Sequence, residues 1–156
     1  MPEIERKFRL PGPPPSELLR DGESIDQGYI LTDPAELRLR RRGHEYYLTV
    51  KGSGSLTRSE WETTIPQHVF ESLWPQTEGR RLEKIRYIVP MPPVTLEIDE
   101  YRGRLAGLYV LEVEFSSESM ARTFVLPDWA ANAVDVTSDP SYKNKRLALA
   151  QRPPNV

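Results

Sequence analysis

The sequence contains no cysteine, only two histidines and no apolar run long enough to span a bilayer. Without cysteine, the chain cannot form disulfides, zinc sites built on thiolates or a cysteine nucleophile. The N-terminus is charged and does not resemble a signal peptide, so we expect a soluble, cytoplasmic protein that does not associate with membranes. We expect His44 and His68 to be surface or boundary residues that take no part in catalysis.

An excess of one charge is also lacking, since 21 basic and 23 acidic residues give a formal net charge of -2. This balance argues against a bulk electrostatic grip on nucleic acid or acidic membranes. The 156 residues fit one domain, which we expect to cover residues 1–150, with a frayed tail at 151–156. Any strong electric field must therefore come from sorting of charge within this domain.

Apolar and charged residues alternate over many short segments of the chain. A period of two predicts strands, because successive side chains of a strand point to opposite faces. Strands are predicted at 1–10, 24–32, in a hairpin over 36–51, and at 58–65, 80–89, 94–101 and 109–115. Short helices are predicted at 66–75, 116–121, 127–133 and 139–150, with Asp139 capping the last. Residues 134–137 are predicted to be a short extended piece.

Pairs of like charges interrupt several of the predicted strands. The acidic pairs are Glu3/Glu5, Glu60/Glu62, Glu97/Asp99 and Glu112/Glu114, and the basic residues in the same pattern are Arg38/Arg40, Lys84/Arg86 and the lone Lys51. Residues two apart on a strand share a face at roughly 6.6 Å, where two carboxylates can converge on one cation. Two like charges at that separation repel by about 2.5 kcal/mol at an effective dielectric near 20.

This repulsion can be relieved in two ways. The charged faces can point into bulk water, where screening makes the pattern inexpensive and the protein is only a structural barrel. Alternatively, the strands close into an antiparallel barrel whose interior gathers both signs of charge, with cations on the acidic side and an anion on the basic side. A linear polyphosphate with Mg²⁺ or Mn²⁺ matches the second arrangement, because these metals prefer oxygen ligands.

The order of short motifs along the chain resembles one known family. E-I-E-R-K at 3–7 is similar to the E-x-E-x-K signature of the CYTH superfamily, the triphosphate tunnel metalloenzymes. The similarity continues through Q-G-Y at 27–29, L-R-L-R at 37–40, T-V-K at 49–51, E-W-E at 60–62, K-I-R-Y at 84–87, E-I-D at 97–99, E-V-E-F at 112–115 and Y-K-N at 142–144. The resemblance implies an α+β fold, an eight-stranded antiparallel closed β-barrel with a few flanking helices.

The resemblance also implies roles for individual residues. The phosphate contacts would be Lys7, Arg38, Arg40, Lys51, Lys84, Arg86 and Lys143. The leading metal ligands would be Glu3, Glu5, Glu112 and Glu114, in an acidic wall completed by Glu60, Glu62, Asp99 and Glu97, the last of which either binds metal or pairs with an arginine. Tyr29 resembles a tunnel tyrosine that orients or deprotonates water through a dyad with Lys84. The alternative for Tyr29 is a packed barrel residue with a hydrogen-bonded hydroxyl.

Several activities occur in the family that the chain resembles. Its similarity to short bacterial members implies an inorganic triphosphatase that hydrolyses tripolyphosphate to pyrophosphate and phosphate with Mg²⁺ or Mn²⁺. A thiamine triphosphatase, a class IV adenylate cyclase that converts ATP to cyclic AMP, and a non-catalytic polyphosphate-binding module are the alternatives. The expected partner is a small-molecule triphosphate, neither nucleic acid nor membranes are expected partners, and a homodimer is a possible assembly.

Overall fold

The computed structural model describes residues 4–52 and 59–155, so Glu3 of the predicted metal set lies outside the described residues. The strands are β1 (Ile4–Arg9), β2 (Glu23–Leu31), β3 (Glu36–Arg42), β4 (Glu45–Lys51), β5 (Glu60–Thr64), β6 (Arg81–Met91), β7 (Val94–Tyr101), β8 (Tyr109–Phe115) and β9 (Val134–Asp135). The helices are α1 (Gln67–Leu73), α2 (Glu118–Thr123) and α3 (Asn144–Leu147), with 3-10 turns at Ser16–Leu18, Trp74–Thr77, Gly103–Leu105, Asp128–Ala130 and Pro140–Tyr142. No helix in the described ranges has the length and hydropathy needed to cross a membrane.

All nine strands form one antiparallel sheet in the order β5-β4-β3-β2-β6-β7-β8-β1-β9. The prediction of a closed eight-stranded barrel is therefore wrong, since no ladder in the described part of the chain joins the β5 end to the β9 end. The physical reason lies at the edges of the sheet. The short piece after residue 133 pairs with β1 through Phe8↔Asp135 and Arg9↔Val134, and it occupies part of the edge that closure would need. At the other end, β4 is the single partner of the five-residue β5 among the described strands.

The sheet has two apolar clusters, one on each face. The first contains alternate residues of β1, β7 and β8, such as Phe8, Ile98 and Val113, and α2 and the Asp128–Ala130 turn pack over it. The second contains Tyr29, Leu82, Tyr101 and Val110, which share their strand face with the charged pairs, together with Leu147 and Ala148 of the C-terminal segment. Apolar side chains therefore fill one part of the interior face, and the charged side chains occupy the rest.

The C-terminal segment differs from the continuous helix predicted at 139–150. The Asp139 carboxylate accepts a hydrogen bond from the Ser141 backbone N–H, as the predicted cap requires. The turn that follows ends after Tyr142, because Lys143 has extended backbone angles (φ -68°, ψ 136°), and α3 begins only at Asn144. The segment is therefore two short pieces joined at Lys143.

Gly28 marks a close approach between β2 and the Trp74–Thr77 turn. A Cβ added at Gly28 would lie 2.7 Å from both Cβ and Oγ1 of Thr77. Thr77 is fully buried, and its hydroxyl donates to the Trp74 carbonyl at 2.7 Å and accepts from Arg81 Nε at 2.8 Å, so it cannot move without losing these bonds. We expect Gly28→Ala to lower the free energy of unfolding by about 1–3 kcal/mol in urea denaturation. Gly12→Ala is the control, because nothing lies within 4 Å of its added Cβ; equal losses in the two variants would contradict the expectation.

Candidate active site

The interior face of the sheet lines a cavity of about 390 Å³. Most predicted site residues line it: Glu5, Lys7, Tyr29, Arg38, Arg40, Lys51, Glu60, Glu62, Arg86, Glu97, Glu112, Glu114 and Lys143. They come from strands near both ends of the sheet, including β1, β4, β5 and β8, so the sheet curls around the cavity without a closing ladder in the described ranges. Lys84 and Asp99 are only 1% and 2% exposed and are buried beside Arg86 rather than placed in the lining.

The register of β3, β4 and β5 places charged residues in rows across the cavity. One row is Glu36↔Lys51↔Glu60, and the next is Arg38↔Thr49↔Glu62. In the second row, Arg38 Nη2 lies 3.5 Å from Glu62 Oε1 and 3.3 Å from Thr49 Oγ1. Arg38 Nε is buried and has no hydrogen-bond partner in the described structure. The Arg38 guanidinium therefore retains a donor that the protein itself does not satisfy.

Arg40 lies beside Arg38 on the same face of β3. Its Nε donates to Gln27 Oε1 at 2.9 Å, and Gln27 Nε2 in turn donates to the Tyr29 hydroxyl at 2.8 Å. Burial, together with the nearby charges of Arg38 and Arg86, lowers the pKa of Arg40 to about 10. Within residues 4–52 and 59–155, no ion pair to Arg40 is formed. Arg40 therefore carries a largely buried positive charge with no ion-pair partner in the described ranges.

Carboxylates dominate the opposite side of the cavity. Glu5 lies directly opposite Glu114 in the β1–β8 ladder, and Glu97 lies directly opposite Glu112 in the β7–β8 ladder. Like charges in such positions destabilise a sheet. Arg86 contributes positive charge here, with Nη1 3.3 Å from Glu97 Oε2 and Nη2 3.9 Å from Glu112 Oε2.

The ionisation of Glu112 reflects these contacts. Burial opposes its charged form, but a hydrogen bond shared with the Glu5 carboxyl and the positive charge of Lys7 outweigh burial, so the pKa of Glu112 falls below its ordinary value. Glu112 is therefore held as a carboxylate at neutral pH.

A buried ion cluster lies next to these carboxylates. Asp99 Oδ1 accepts from Arg86 Nε at 2.8 Å, and Oδ2 accepts from Lys84 Nζ at 2.8 Å and from Arg86 Nη2 at 2.9 Å. Burial disfavours the Asp99 carboxylate, but Lys84 and Arg86 together hold its pKa well below the ordinary range. Burial is the main reason why the pKa of Lys84 falls to about 7. Repulsion from Arg86 and Arg40 lowers this pKa further, and the attraction to Asp99 offsets only part of the two effects.

Tyr29 reaches the cavity next to an irregularity in β2, where the register with β3 shifts between Tyr29 and Leu31. Irregularities of this kind often redirect side chains near active sites. Burial is the main cause of the raised pKa of the Tyr29 hydroxyl, although Arg38 opposes it. The hydroxyl bonds to Gln27, whereas Lys84 donates to Asp99, so the two residues of the predicted dyad have different hydrogen-bond partners.

Five residues of the site were missed by sequence reasoning. Gln27 and Thr49 are fully buried within its hydrogen-bond network, and Glu36, Asn144 and Lys145 line the cavity. Gln27, Glu36 and Thr49 each lie two residues before a predicted site residue, so strand parity could have identified them. Repeated like charges mark most of the predicted site residues, and the neutral Gln27 and Thr49 give no such signal.

The carboxylates of the cavity fit a divalent cation bound together with a phosphate ligand. In the described parts of the chain, no three His, Asp or Glu residues are grouped closely enough to hold a metal ion by themselves. The Glu5 and Glu112 carboxyl groups, however, lie close enough to share a proton, so they offer adjacent oxygens to a cation that displaces it. Mg²⁺ is commonly bound through one or two carboxylates, with phosphate oxygens and water completing its coordination. This donor set suits Mg²⁺ or Mn²⁺ better than metals that prefer sulfur or nitrogen.

Comparison with known proteins agrees with the motif order and the geometry. The chain is 47% identical over 153 residues to an inorganic triphosphatase of Nitrosomonas europaea, covering 96% of this chain and 99% of that protein. It is 36% identical over 151 residues to an inorganic triphosphatase of Acetivibrio thermocellus, covering 93% and 92% of the two chains. A crystal structure of an inorganic triphosphatase is similar with a TM-score of 0.75 and 44% identity, covering 96% of each chain. The CYTH domain model matches residues 1–138. The chain therefore belongs to the CYTH domain family.

Proposed function

We propose that the protein is an inorganic triphosphatase, which hydrolyses tripolyphosphate to pyrophosphate and phosphate within the cavity. The observation that carries this proposal is one cavity that collects unmatched charge of both signs. Arg38 has an unsatisfied buried donor and Arg40 lacks an ion pair in the described ranges, while pairs of carboxylates face each other across the ladders opposite. A metal-bound polyphosphate supplies the anion for the two arginines and the cation for the paired carboxylates. Two relatives named as inorganic triphosphatases support the same activity.

The basic residues of the cavity would bind the phosphate chain. Arginine guanidinium groups suit this role, because they donate two parallel hydrogen bonds to phosphate oxygens, whereas lysines act as point charges. Arg38 and Arg40 would form the central contacts, and Lys51 and Lys143 would extend the positive lining. Lys7 donates to the Tyr142 carbonyl at 3.2 Å and keeps two further N–H groups for the ligand.

Glu5 and Glu112 would hold the divalent cation, with Glu114 and Glu97 adjacent in the lining. A bound Mg²⁺ or Mn²⁺ would neutralise charge on the phosphoryl oxygens as the bond to the leaving group breaks. Glu60 and Glu62 line the same cavity from β5 and would add to the acidic wall.

The reaction requires little covalent chemistry from the protein. A water oxygen attacks the terminal phosphorus, the bond from that phosphorus to the bridging oxygen breaks, and pyrophosphate leaves with the bonding electrons. The proton that the attacking water loses passes to a phosphate oxygen or to solvent. Catalysis of this kind depends mainly on positioning and charge stabilisation.

Tyr29 would orient the water or a phosphate oxygen as a neutral phenol, since its pKa is raised by burial. Lys84 would act from beneath the lining, by holding Asp99 and thereby Arg86 in place. The single-domain boundary, cytoplasmic location and homodimer stay predictions.

A substrate panel tests the proposed function. Tripolyphosphate, pyrophosphate, ATP and thiamine triphosphate would each be incubated with Mg²⁺, with Mn²⁺ and with EDTA, and both phosphate and cyclic nucleotide would be measured. We expect fast phosphate release from tripolyphosphate that depends on the metal. Cyclic AMP formed from ATP would instead identify a cyclase. Stabilisation of the protein by tripolyphosphate in a thermal shift assay, without turnover, would identify a binding module.

A further inference from the structure

The C-terminal segment forms one wall of the cavity. Lys143, Asn144 and Lys145 line it, and Leu147 is fully buried in the apolar cluster on the same face of the sheet. The helix that carries most of these residues, α3, is only four residues long. Isolated helices of that length are unstable in water, so tertiary contacts must fix its position.

Arg104 provides such contacts at the end of α3. It lies in the Gly103–Leu105 turn between β7 and β8 and is exposed outside the cavity lining. Its Nε donates to the Ala150 carbonyl at 2.6 Å, and its Nη2 donates to the carbonyls of Ala148 at 2.7 Å and Leu147 at 3.3 Å. Nη2 also donates to the Arg81 carbonyl of β6. Carbonyls at a helix C-terminus lack partners within the helix, and a basic side chain is well suited to bind them.

Other contacts hold the opposite end of α3. Lys7 Nζ donates to the Tyr142 carbonyl at 3.2 Å, and the Tyr101 hydroxyl donates to Asn144 Oδ1 at 2.6 Å. Both contacts lie at or before the first residue of α3, whereas the Arg104 contacts lie at its last residue and beyond. Loss of Arg104 would therefore remove the side-chain hydrogen bonds at this end of α3. The buried Leu147 and Ala148 and the hydrogen bond from Arg9 Nη1 to the Pro154 carbonyl would still attach the segment, but they would fix the direction of α3 less tightly.

We propose that Arg104 is a positioning residue for triphosphate binding, which holds α3 so that Lys143 and Lys145 face the ligand. This inference rests on the proposed function. Arg104 does not line the cavity, so it acts only through the two lysines. Its loss should weaken binding of the substrate before reaction and leave the chemical step nearly unchanged, which raises KM with little effect on kcat.

A double-mutant cycle tests this role. We expect Arg104→Leu to raise KM for tripolyphosphate about tenfold, with kcat changed less than about twofold. In a Lys143→Ala/Lys145→Ala background, we expect Arg104→Leu to change KM by less than about twofold, because the groups it positions are absent. Arg104→Lys should restore part of the loss, since it keeps a donor and the charge. The matched control is Arg122→Leu, because Arg122 is exposed and pairs only at 3.8 Å with the exposed Glu118.

Isothermal titration calorimetry with tripolyphosphate and Mg²⁺ gives a second measurement that does not depend on turnover. We expect Kd to rise about tenfold for Arg104→Leu in the otherwise natural chain and to change little in the double-lysine background. An equal change in both backgrounds, or a fall in Tm without any change in Kd, would overturn the positioning role. A natural chain that binds tripolyphosphate without hydrolysing it would refute the proposed hydrolase, and the calorimetric cycle would still decide the role of Arg104. Absence of binding by the natural chain would overturn both.

Discussion

Asp99→Asn is expected to lower the free energy of unfolding by about 3–5 kcal/mol, because the buried Arg86 loses its two-bond carboxylate partner and the buried Lys84 loses its counter-ion or its proton. Asp99 accepts three hydrogen bonds from Lys84 and Arg86, and all three side chains are less than 10% exposed. The variant conserves the shape of the side chain, so the loss reports charge and not a cavity. Equilibrium urea denaturation at pH 7 measures it.

The same variant should show a specific dependence on pH. The pKa of Lys84 is about 7 in the folded protein and near 10.5 in the unfolded chain, so unfolding takes up a proton between these values and stability rises with pH there. Without Asp99, the folded-state pKa of Lys84 must fall further, and this rise begins at lower pH. Above about pH 5 the missing carboxylate adds no slope of its own, since an unfolded aspartate titrates near 3.9. The deficit of Asp99→Asn should therefore be larger at pH 5 than at pH 7.

Asp26→Asn is the matched control for this prediction. Asp26 pairs with Arg41 on the outer part of the sheet, where its side chain is 25% exposed and that of Arg41 is 46% exposed. Exposed ion pairs contribute about 0–1 kcal/mol, so the control should lose little and show no comparable slope between pH 5 and pH 7. A loss below about 1 kcal/mol in Asp99→Asn would show that the buried cluster is not held by charge.

The strands and their charged faces could be predicted from the sequence, because alternation alone determines which residues share a face. All eight predicted strands are present, as β1 to β8. Closure of the sheet could not be predicted, because it depends on which edge a two-residue strand occupies. Residues 134–137 were expected to be a short extended piece, and their pairing with Phe8 and Arg9 is a long-range contact that no local pattern encodes.

The sequence indicated which residues belong to the site better than it indicated which of them pair with each other. Thirteen of the residues that line the cavity were predicted, ten from the charge pattern and Lys7, Tyr29 and Lys143 from the resemblance. The partner of each charge depends on register, which alternation does not fix. Sequence reasoning paired Lys84 with Tyr29, whereas the register places Lys84 opposite Tyr101 and its ammonium bonds to Asp99. The interior apolar cluster was also missed, because Tyr101 and Val110 interrupt no charge pattern.

Arg40→Met is expected to have the opposite effect on stability to Asp99→Asn while removing activity. Arg40 is partly buried, and its pKa is lowered from 12.5 to about 10 by burial and by its neighbours Arg38 and Arg86. This shift corresponds to roughly 3 kcal/mol against the charged form. Part of the gain on removing the charge is offset, because Gln27 loses the hydrogen bond from Arg40 Nε. We therefore expect Arg40→Met to raise the free energy of unfolding by about 1–2 kcal/mol.

The activity of the same variant should fall by about 10³-fold or more in kcat/KM for tripolyphosphate, since an arginine that stabilises charge in phosphoryl transfer contributes on that order. Arg41→Met is the control, because Arg41 is the next residue on β3, points to the opposite face and is exposed, so neither stability nor activity should change much.

A stabilised but inactive Arg40→Met would show that the natural chain keeps an unfavourable buried charge for the sake of its ligand. Loss of stability together with loss of activity would indicate that Arg40 supports the fold, and retained activity would remove it from the phosphate contacts. The signs of the two stability changes, one negative at Asp99 and one positive at Arg40, follow from whether each charge already has its counterpart within the protein.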